Sequence, residues 1–200
     1  MLTLSIQAGG ESRRMGRDKA LVAFLDQPLI VRILNRLAAI ADEILITSNQ
    51  AENYRFLGLT PIPDLLPGMG ALGGIYTALS AASHPYVAVV ACDMPFASPE
   101  LFAFELLIAK EMGVDAVIPR SAAGIEPFHA VYRRDICLPH VWGALQAGKR
   151  RADAWFSEVN IHYLATGEIE AYAPQGLAFL NINTLDELRA AEQIARKATG

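Results

Sequence analysis

The chain has 200 residues, 52% of them hydrophobic and 19% charged. That suits one globular unit with a substantial core and excludes a disordered or fibrous class. Its 17 basic against 21 acidic residues give a net charge of -4, which argues against bulk nucleic-acid binding. No apolar run approaches the roughly 20 residues a bilayer span needs, and the N-terminus lacks a basic region ahead of an apolar one. The two cysteines, Cys92 and Cys137, form no C-x-x-C pair, so a zinc or disulfide framework is not expected. A cytoplasmic protein with free thiols, no membrane and no nucleic acid is the expectation.

In chain order, "LTLSI" reads as a buried first strand. It runs into "QAGGESRRMGRDKALV", with Gly9 and Gly10 followed by Arg13, Arg14, Arg17 and Lys19. Leu29, Ile30, Ile33, Leu34, Leu37 and Ile40 then mark one face of a helix, with Pro28 at its first turn. "EILITS" is a second strand, and a short third one is expected ahead of "PIPD". Gly68, Gly70, Gly73 and Gly74 open a helix reading "IYTALSAA". "YVAVVA", the most hydrophobic strand, stops at "CDMPF". Ser98 as N-cap, Pro99 in the first turn and Gly113 past the end bound the next helix. "DAVIP" and "FHAVY" are strands, and a capping box from Thr184 to Glu187 starts the last helix.

Alternating strands and helices predict an α/β fold, a Rossmann-like three-layer arrangement with a mainly parallel sheet. No linker or repeat divides the chain, so residues 1–200 read as one domain. In such sheets ligands bind at the carboxyl ends of the strands. The AGG loop, Asn49, Asp64, the glycine cluster and Asp93 all follow strands and should meet on one rim.

The opening loop matches neither a Walker A sequence nor G-x-G-x-x-G. A solvated basic turn and a phosphate cradle both remain readings of it. The strand before it, the helix after it and its clustered charge favour the cradle, with Arg14 and Lys19 as cations and glycines admitting close backbone approach. Asp93 either caps the turn after its strand or holds a metal. Beside a phosphate loop, Mg²⁺ is the better fit, because it takes one or two carboxylates and completes its shell with water and phosphate oxygens. His84, His129, His140 and His162 are scattered and read as structural or surface residues; only His129, near the rim, stands out.

Five segments together resemble the molybdenum cofactor guanylyltransferases: "AGGESRRMGRDKAL", "DLLPGMGALGGIYTAL", "ACDMPF", "GKRRADAWF" and "FLNINTLDEL". The resemblance spans about residue 3 to residue 190. The first segment is common to nucleotidylyltransferases, whereas its combination with the last two is much more specific. The resemblance implies a nucleotidyltransferase that joins GMP from GTP to the phosphate of molybdopterin, releasing pyrophosphate, with Mg²⁺. It implies nucleotide contacts at Gln7, Ala8, Gly9, Gly10, Asn49, Asp64, Gly70 and Gly74. Lys19 is then the phosphate-binding lysine and Asp93 the metal ligand. Asn181 and Asn183 lie near the reaction centre, and Lys149, Arg150 and Arg151 fall on the pterin side. Molybdoenzymes or other cofactor-biosynthesis proteins would be its partners.

Three positions depart from the pattern. Gln7 stands where Leu is usual, Leu72 replaces the proline of G-P-L-A-G, and Ala91 replaces the proline before "CD". The first two bear on base selection. A cytidylyltransferase for the same cofactor, a sugar-phosphate nucleotidylyltransferase and a nucleotide-binding module without turnover are the competing readings, although "GALGGI" looks more like the guanylyl form. The absence of an evident Ser, Cys or His nucleophile agrees with the proposed chemistry. A phosphate monoester has a second pKa of about 6, is already anionic at neutral pH and needs no general base.

Overall fold

A computed structural model of the chain describes residues 1–8 and 18–199. A seven-stranded sheet forms its centre. Strand β1 (Leu2–Gln7) is flanked in parallel by β4 (Glu43–Thr47) and β5 (Tyr86–Ala91). Next come β8 (His129–Arg133), antiparallel to β5, and β6 (Ala116–Ser121), antiparallel to β8. β9 (Ile161–Leu164) pairs with β6 in parallel, and β7 (Gly124–Ile125) folds back on β6 as a hairpin. The sheet is therefore mainly parallel, as expected. β8 runs the other way because a hairpin, not a crossover helix, connects it to β6.

β1 is buried on both faces. Leu2, Leu4 and Ile6 enter one core with Ile30, Ile33 and Leu37 of α1 (Leu29–Leu37) and Leu101, Phe102 and Ala109 of α3 (Pro99–Met112). Its other face is polar: Thr3 donates to Glu43 (2.6 Å) and Gln7 to Ser5 (2.9 Å). The second core joins Val87 and Val89 to Leu72 and Ile75 of α2 (Gly70–Ala81) and to Cys137 and Val141 of α4 (Arg134–Gln146). Trp155 and Phe156 are buried there as well. Helices on both faces of the sheet make three layers.

The local signals resolve as bonds. The Ser98 hydroxyl accepts from Leu101 N–H at 3.1 Å, and Gly113 closes α3 with φ +64°. Thr184 and Glu187 form the reciprocal box at the start of α6 (Leu185–Thr199), at 2.9 and 3.2 Å. Pro28 lies one residue before α1 rather than in its first turn. It belongs to β3 (Gln27–Pro28), which pairs with β2 (Ala23–Phe24).

Among the described residues no strand directly precedes "PIPD"; what pairs there is a single bridge inside that segment, between Thr47 and Ile62. Pro61 and Pro63 have no N–H, so only Ile62 can pair, donating to Ile46 (2.8 Å) and accepting from Ser48 (2.9 Å). α4 carries Pro139 inside it and had no sequence signal strong enough to predict it. α5 (Thr166–Glu170), too short for a periodic pattern, was likewise unpredicted. Among the described residues, no helix is long and apolar enough to cross a membrane.

Candidate active site

The carboxyl ends of β4, β1 and β5 and the start of β8 open on one cleft of about 1310 Å³. The sheet ladder carries its residues there. Ala8 N–H extends the β1–β4 pairing to Thr47 C=O (2.9 Å), and Cys92 N–H extends the β1–β5 pairing to Gln7 C=O (3.1 Å). Asp93 therefore emerges one residue beyond a fixed pair, at the mouth of an apolar strand.

Lys19 meets it from the far side of the sequence. Asp18 caps the turn Lys19–Leu21 through Ala20 N–H (3.1 Å). The Lys19 ammonium donates to Asp93 Oδ2 at 3.2 Å and to Asn183 Oδ1 at 2.6 Å. Asn183 is itself held by the α6 capping box, its N–H donating to Glu187 at 2.6 Å. Two of the three ammonium donors are thus engaged, which leaves one for a ligand. Among the described residues, Asp93 Oδ1 is buried with no hydrogen-bond partner. A carboxylate oxygen left so is costly unless something cationic or donating meets it.

On the β4 side, Asn49 and Asp64 bind each other reciprocally. Asn49 Nδ2 donates to Asp64 Oδ2, and Asp64 N–H donates to Asn49 Oδ1, each at 2.9 Å. Gly70 and Ala71 present the N-terminus of α2 to the same cleft. Gly70 sits at φ +61°, a conformation that suits glycine. Leu72 N–H is taken by the Arg150 carbonyl (3.1 Å) and Gly73 N–H by the Met69 carbonyl (3.3 Å), so in the first turn of α2 the N–H groups of Gly70 and Ala71 remain to meet an anion.

Gln7 lines the cleft, and its Nε2 donates to Ser5, beneath α2. Its Oε1 lies so close to Gly74 that a Cβ there would stand 2.8 Å away. The carboxamide is held in place, with one of its two Nε2 hydrogens on Ser5 and its Oε1 packed against α2. Leu72, in place of proline, is fully buried in the second core.

The other expected residues divide. Ala8, Asn181 and Arg150 line the cleft. Lys149 instead donates to the Ala154 carbonyl (3.0 Å), and Arg151 is exposed and paired with Asp153 at 2.8 Å. Both charges serve their own turn. Gly9, Gly10 and Arg14 lie outside the described residues. His129 is not a site residue: it is fully buried, stacked on Phe102 with centroids 3.9 Å apart and bonded to Glu105 at 3.0 Å. Burial pushes the Glu105 carboxyl up and the His129 imidazole down, so the pair is neutral. Sequence reasoning missed Asp18, Tyr54 and Glu126. The two carboxylates, like Ser48, also line the cleft; Asp18 stands inside the first family-like segment, next to Lys19, whereas Tyr54, Glu126 and Ser48 belong to no pattern with a chemical signature.

Comparison with known proteins agrees with this architecture. Residues 4–161 match the family described as the MobA-like NTP transferase domain. A protein of Pelotomaculum thermopropionicum described as a probable molybdenum cofactor guanylyltransferase is 35% identical, covering 96% of this chain and 93% of its own. The molybdenum cofactor guanylyltransferase of Syntrophotalea carbinolica is 32% identical, covering 91% and 86%. Among solved structures, molybdopterin-guanine dinucleotide biosynthesis protein A of Archaeoglobus fulgidus superposes with a TM-score of 0.84 at 27% identity, covering 98% of this chain and 99% of that one. With its cleft, its lysine–aspartate pair and these relatives in hand, the chain belongs to the MobA-like NTP transferase family, together with the molybdenum cofactor guanylyltransferases.

Proposed function

We propose that this protein transfers GMP from GTP to the terminal phosphate of molybdopterin, with release of pyrophosphate. The observation that carries the reading is the convergence of Lys19 and Asp93 in the cleft, with Asn183 bonded to the Lys19 ammonium. It is supported by the guanylyltransferase relatives at more than 30% identity over nearly the whole chain.

In the reaction an oxygen of the acceptor phosphate attacks the α-phosphorus of GTP. A new P–O bond forms, the bond to the β-phosphate oxygen breaks, and its electron pair leaves with pyrophosphate. The nucleophile is already ionised at neutral pH, so the protein's task is alignment and charge neutralisation. Lys19, turned outward by its third N–H, meets a phosphate oxygen while Asn183 and Asp93 hold its ammonium in place. The α2 N-terminus at Gly70 and Ala71 receives a second anionic group. Asn49 and Asp64 offer the donor and acceptor atoms that a nucleoside requires on the β4 side.

Asp93 fits a Mg²⁺ ligand through Oδ1, unpartnered among the described residues. Among the described residues no group of three or more carboxylate, His or Cys side chains is assembled. A single carboxylate with water and phosphate oxygens is a normal shell for Mg²⁺, whose contribution there is charge neutralisation at the α-phosphate.

Base choice is tested by measuring binding of GTP, ATP, CTP and UTP with Mg²⁺. GTP is expected to bind best, by tenfold or more, because a site built to hydrogen-bond one base leaves buried groups unpaired with another. Equal affinity for all four would remove the guanylyl assignment. The Gln7 acceptor contributes to any base that offers an N–H. Gln7→Leu should therefore weaken GTP without making ATP the preferred ligand.

A further inference from the structure

Tyr54 belongs to none of the five motif segments, yet its hydroxyl reaches the two points where the described chain flanks residues 9–17. It donates to Asp18 Oδ2 at 2.7 Å and lies 3.4 Å from the Ala8 carbonyl. The ring is fully buried in the first core. It projects from the 3-10 segment Ala51–Leu57, which begins just after the cleft residues Ser48, Asn49 and Gln50. Burial and the neighbouring Asp18 carboxylate push the phenol's pKa up, so the hydroxyl stays a donor throughout the working range.

The bond matters because of what Asp18 does next. Its other oxygen, Oδ1, caps the turn through Ala20 N–H (3.1 Å), and its carbonyl accepts from Leu21 N–H (3.1 Å). Both carboxylate oxygens are engaged, and the following residue is Lys19. The orientation of the turn that carries Lys19 is therefore fixed from below by a buried aromatic rooted on the β4 side. At its tip the ammonium must meet Asp93 and Asn183 on two other elements. A long lysine side chain has several rotatable bonds, and a small tilt at its root moves its head by an ångström or more. In a reaction governed by alignment, such a displacement costs up to a hundredfold.

We infer that Tyr54 is a positioning residue for Lys19, acting through Asp18, and that it sets both triphosphate binding and the rate of transfer without touching substrate. The inference rests on the guanylyl-transfer reading for its kinetic arm only.

The test is a double-mutant cycle of Tyr54→Phe with Lys19→Ala, following Mg·GTP affinity by calorimetry and transfer by single turnover. Tyr54→Phe keeps the buried ring and is expected to lower affinity about fivefold and turnover about tenfold, the scale of one charge-assisted hydrogen bond. In the Lys19→Ala background the same change should cost less than about twofold in either readout. A merely structural tyrosine would lower the melting temperature and reduce both readouts equally in the two backgrounds. That equality, or Tyr54→Phe behaving as wild type, overturns the proposal. Asp18→Asn, which leaves one acceptor oxygen for two donors, should reproduce the loss and be non-additive with Tyr54→Phe; additivity overturns the route through Asp18. If wild type gives no product, the transfer reading fails, and the affinity cycle still decides the positioning role.

Discussion

Replacing Lys19 by alanine removes one cation from the lining of the cleft, and the structure sets the size of the effect. The ammonium holds Asp93 at 3.2 Å and Asn183 at 2.6 Å, and its third donor is the one proposed to meet phosphate. Losing one charge-assisted hydrogen bond to the transferring group costs about 1.5–3 kcal/mol, equivalent to roughly 10- to 150-fold in kcat/KM. The cost to folding is smaller. The Lys19 and Asp93 side chains are 22% and 17% exposed, so water can replace the lost partner. A stability loss of about 1 kcal/mol, or roughly 2–4 °C in melting temperature, is expected. Steady-state kinetics beside a thermal melt separates the two. The reasoning is refuted if kcat/KM falls less than threefold, or if activity is lost only together with a collapse in melting temperature.

Asp93→Asn should abolish Mg²⁺-dependent turnover by at least about a hundredfold while the fold survives, since Oδ1 has no partner to lose among the described residues; a Mg²⁺ titration of turnover checks this. The buried Glu105–His129 pair should give stability a maximum between the ordinary values of the two groups, 4.5 and 6.5. The folded pair, with Glu105 raised and His129 lowered, holds one proton, whereas the unfolded chain holds two below that window and none above it. Stability from the pair therefore falls on both sides, by about 1.4 kcal/mol per pH unit at most. Glu105→Gln should replace the alkaline fall with a plateau in denaturant titrations across pH. Gly73→Ala should destabilise despite its better helix propensity, because the new Cβ would lie 2.9 Å from Met69 Cβ and 3.3 Å from the Leu66 carbonyl. At Gly74 the obstruction is only the far end of Gln7, so Gly74→Ala should cost less in the same thermal melts.

Five of the sheet's seven strands and its rim were legible because apolar β-branched runs, glycines and caps each act over a few neighbouring residues; the short β7 and β9 were not predicted. Ser98, Gly113 and the Thr184–Glu187 box do in the structure what their spacing implies. The rim rule likewise placed Ala8, Asn49, Asp64, Gly70 and Asp93 on one cleft. What failed were features decided by partners far along the chain. Pro139 disguised α4, since a proline within a helix reads as a break, yet tertiary packing of Cys137 and Val141 holds the helix together. Among the described residues no strand directly precedes "PIPD", and the prolines flanking Ile62 limit pairing there to one bridge. Arg150, Lys149 and Arg151 are adjacent and chemically alike, but only Arg150 reaches the cleft; the turn's own carbonyl and carboxylate claim the other two. Tyr54 carried no signal at all, because its role depends on a contact 36 residues away.

The central claim is tested most directly by incubating the protein with Mg²⁺, α-labelled GTP and molybdopterin, then identifying the products by mass spectrometry. The account predicts a pterin–guanine dinucleotide that carries the labelled α-phosphate, with one pyrophosphate released per dinucleotide. Pyrophosphate release without a dinucleotide, or a dinucleotide formed as readily from CTP, would contradict it.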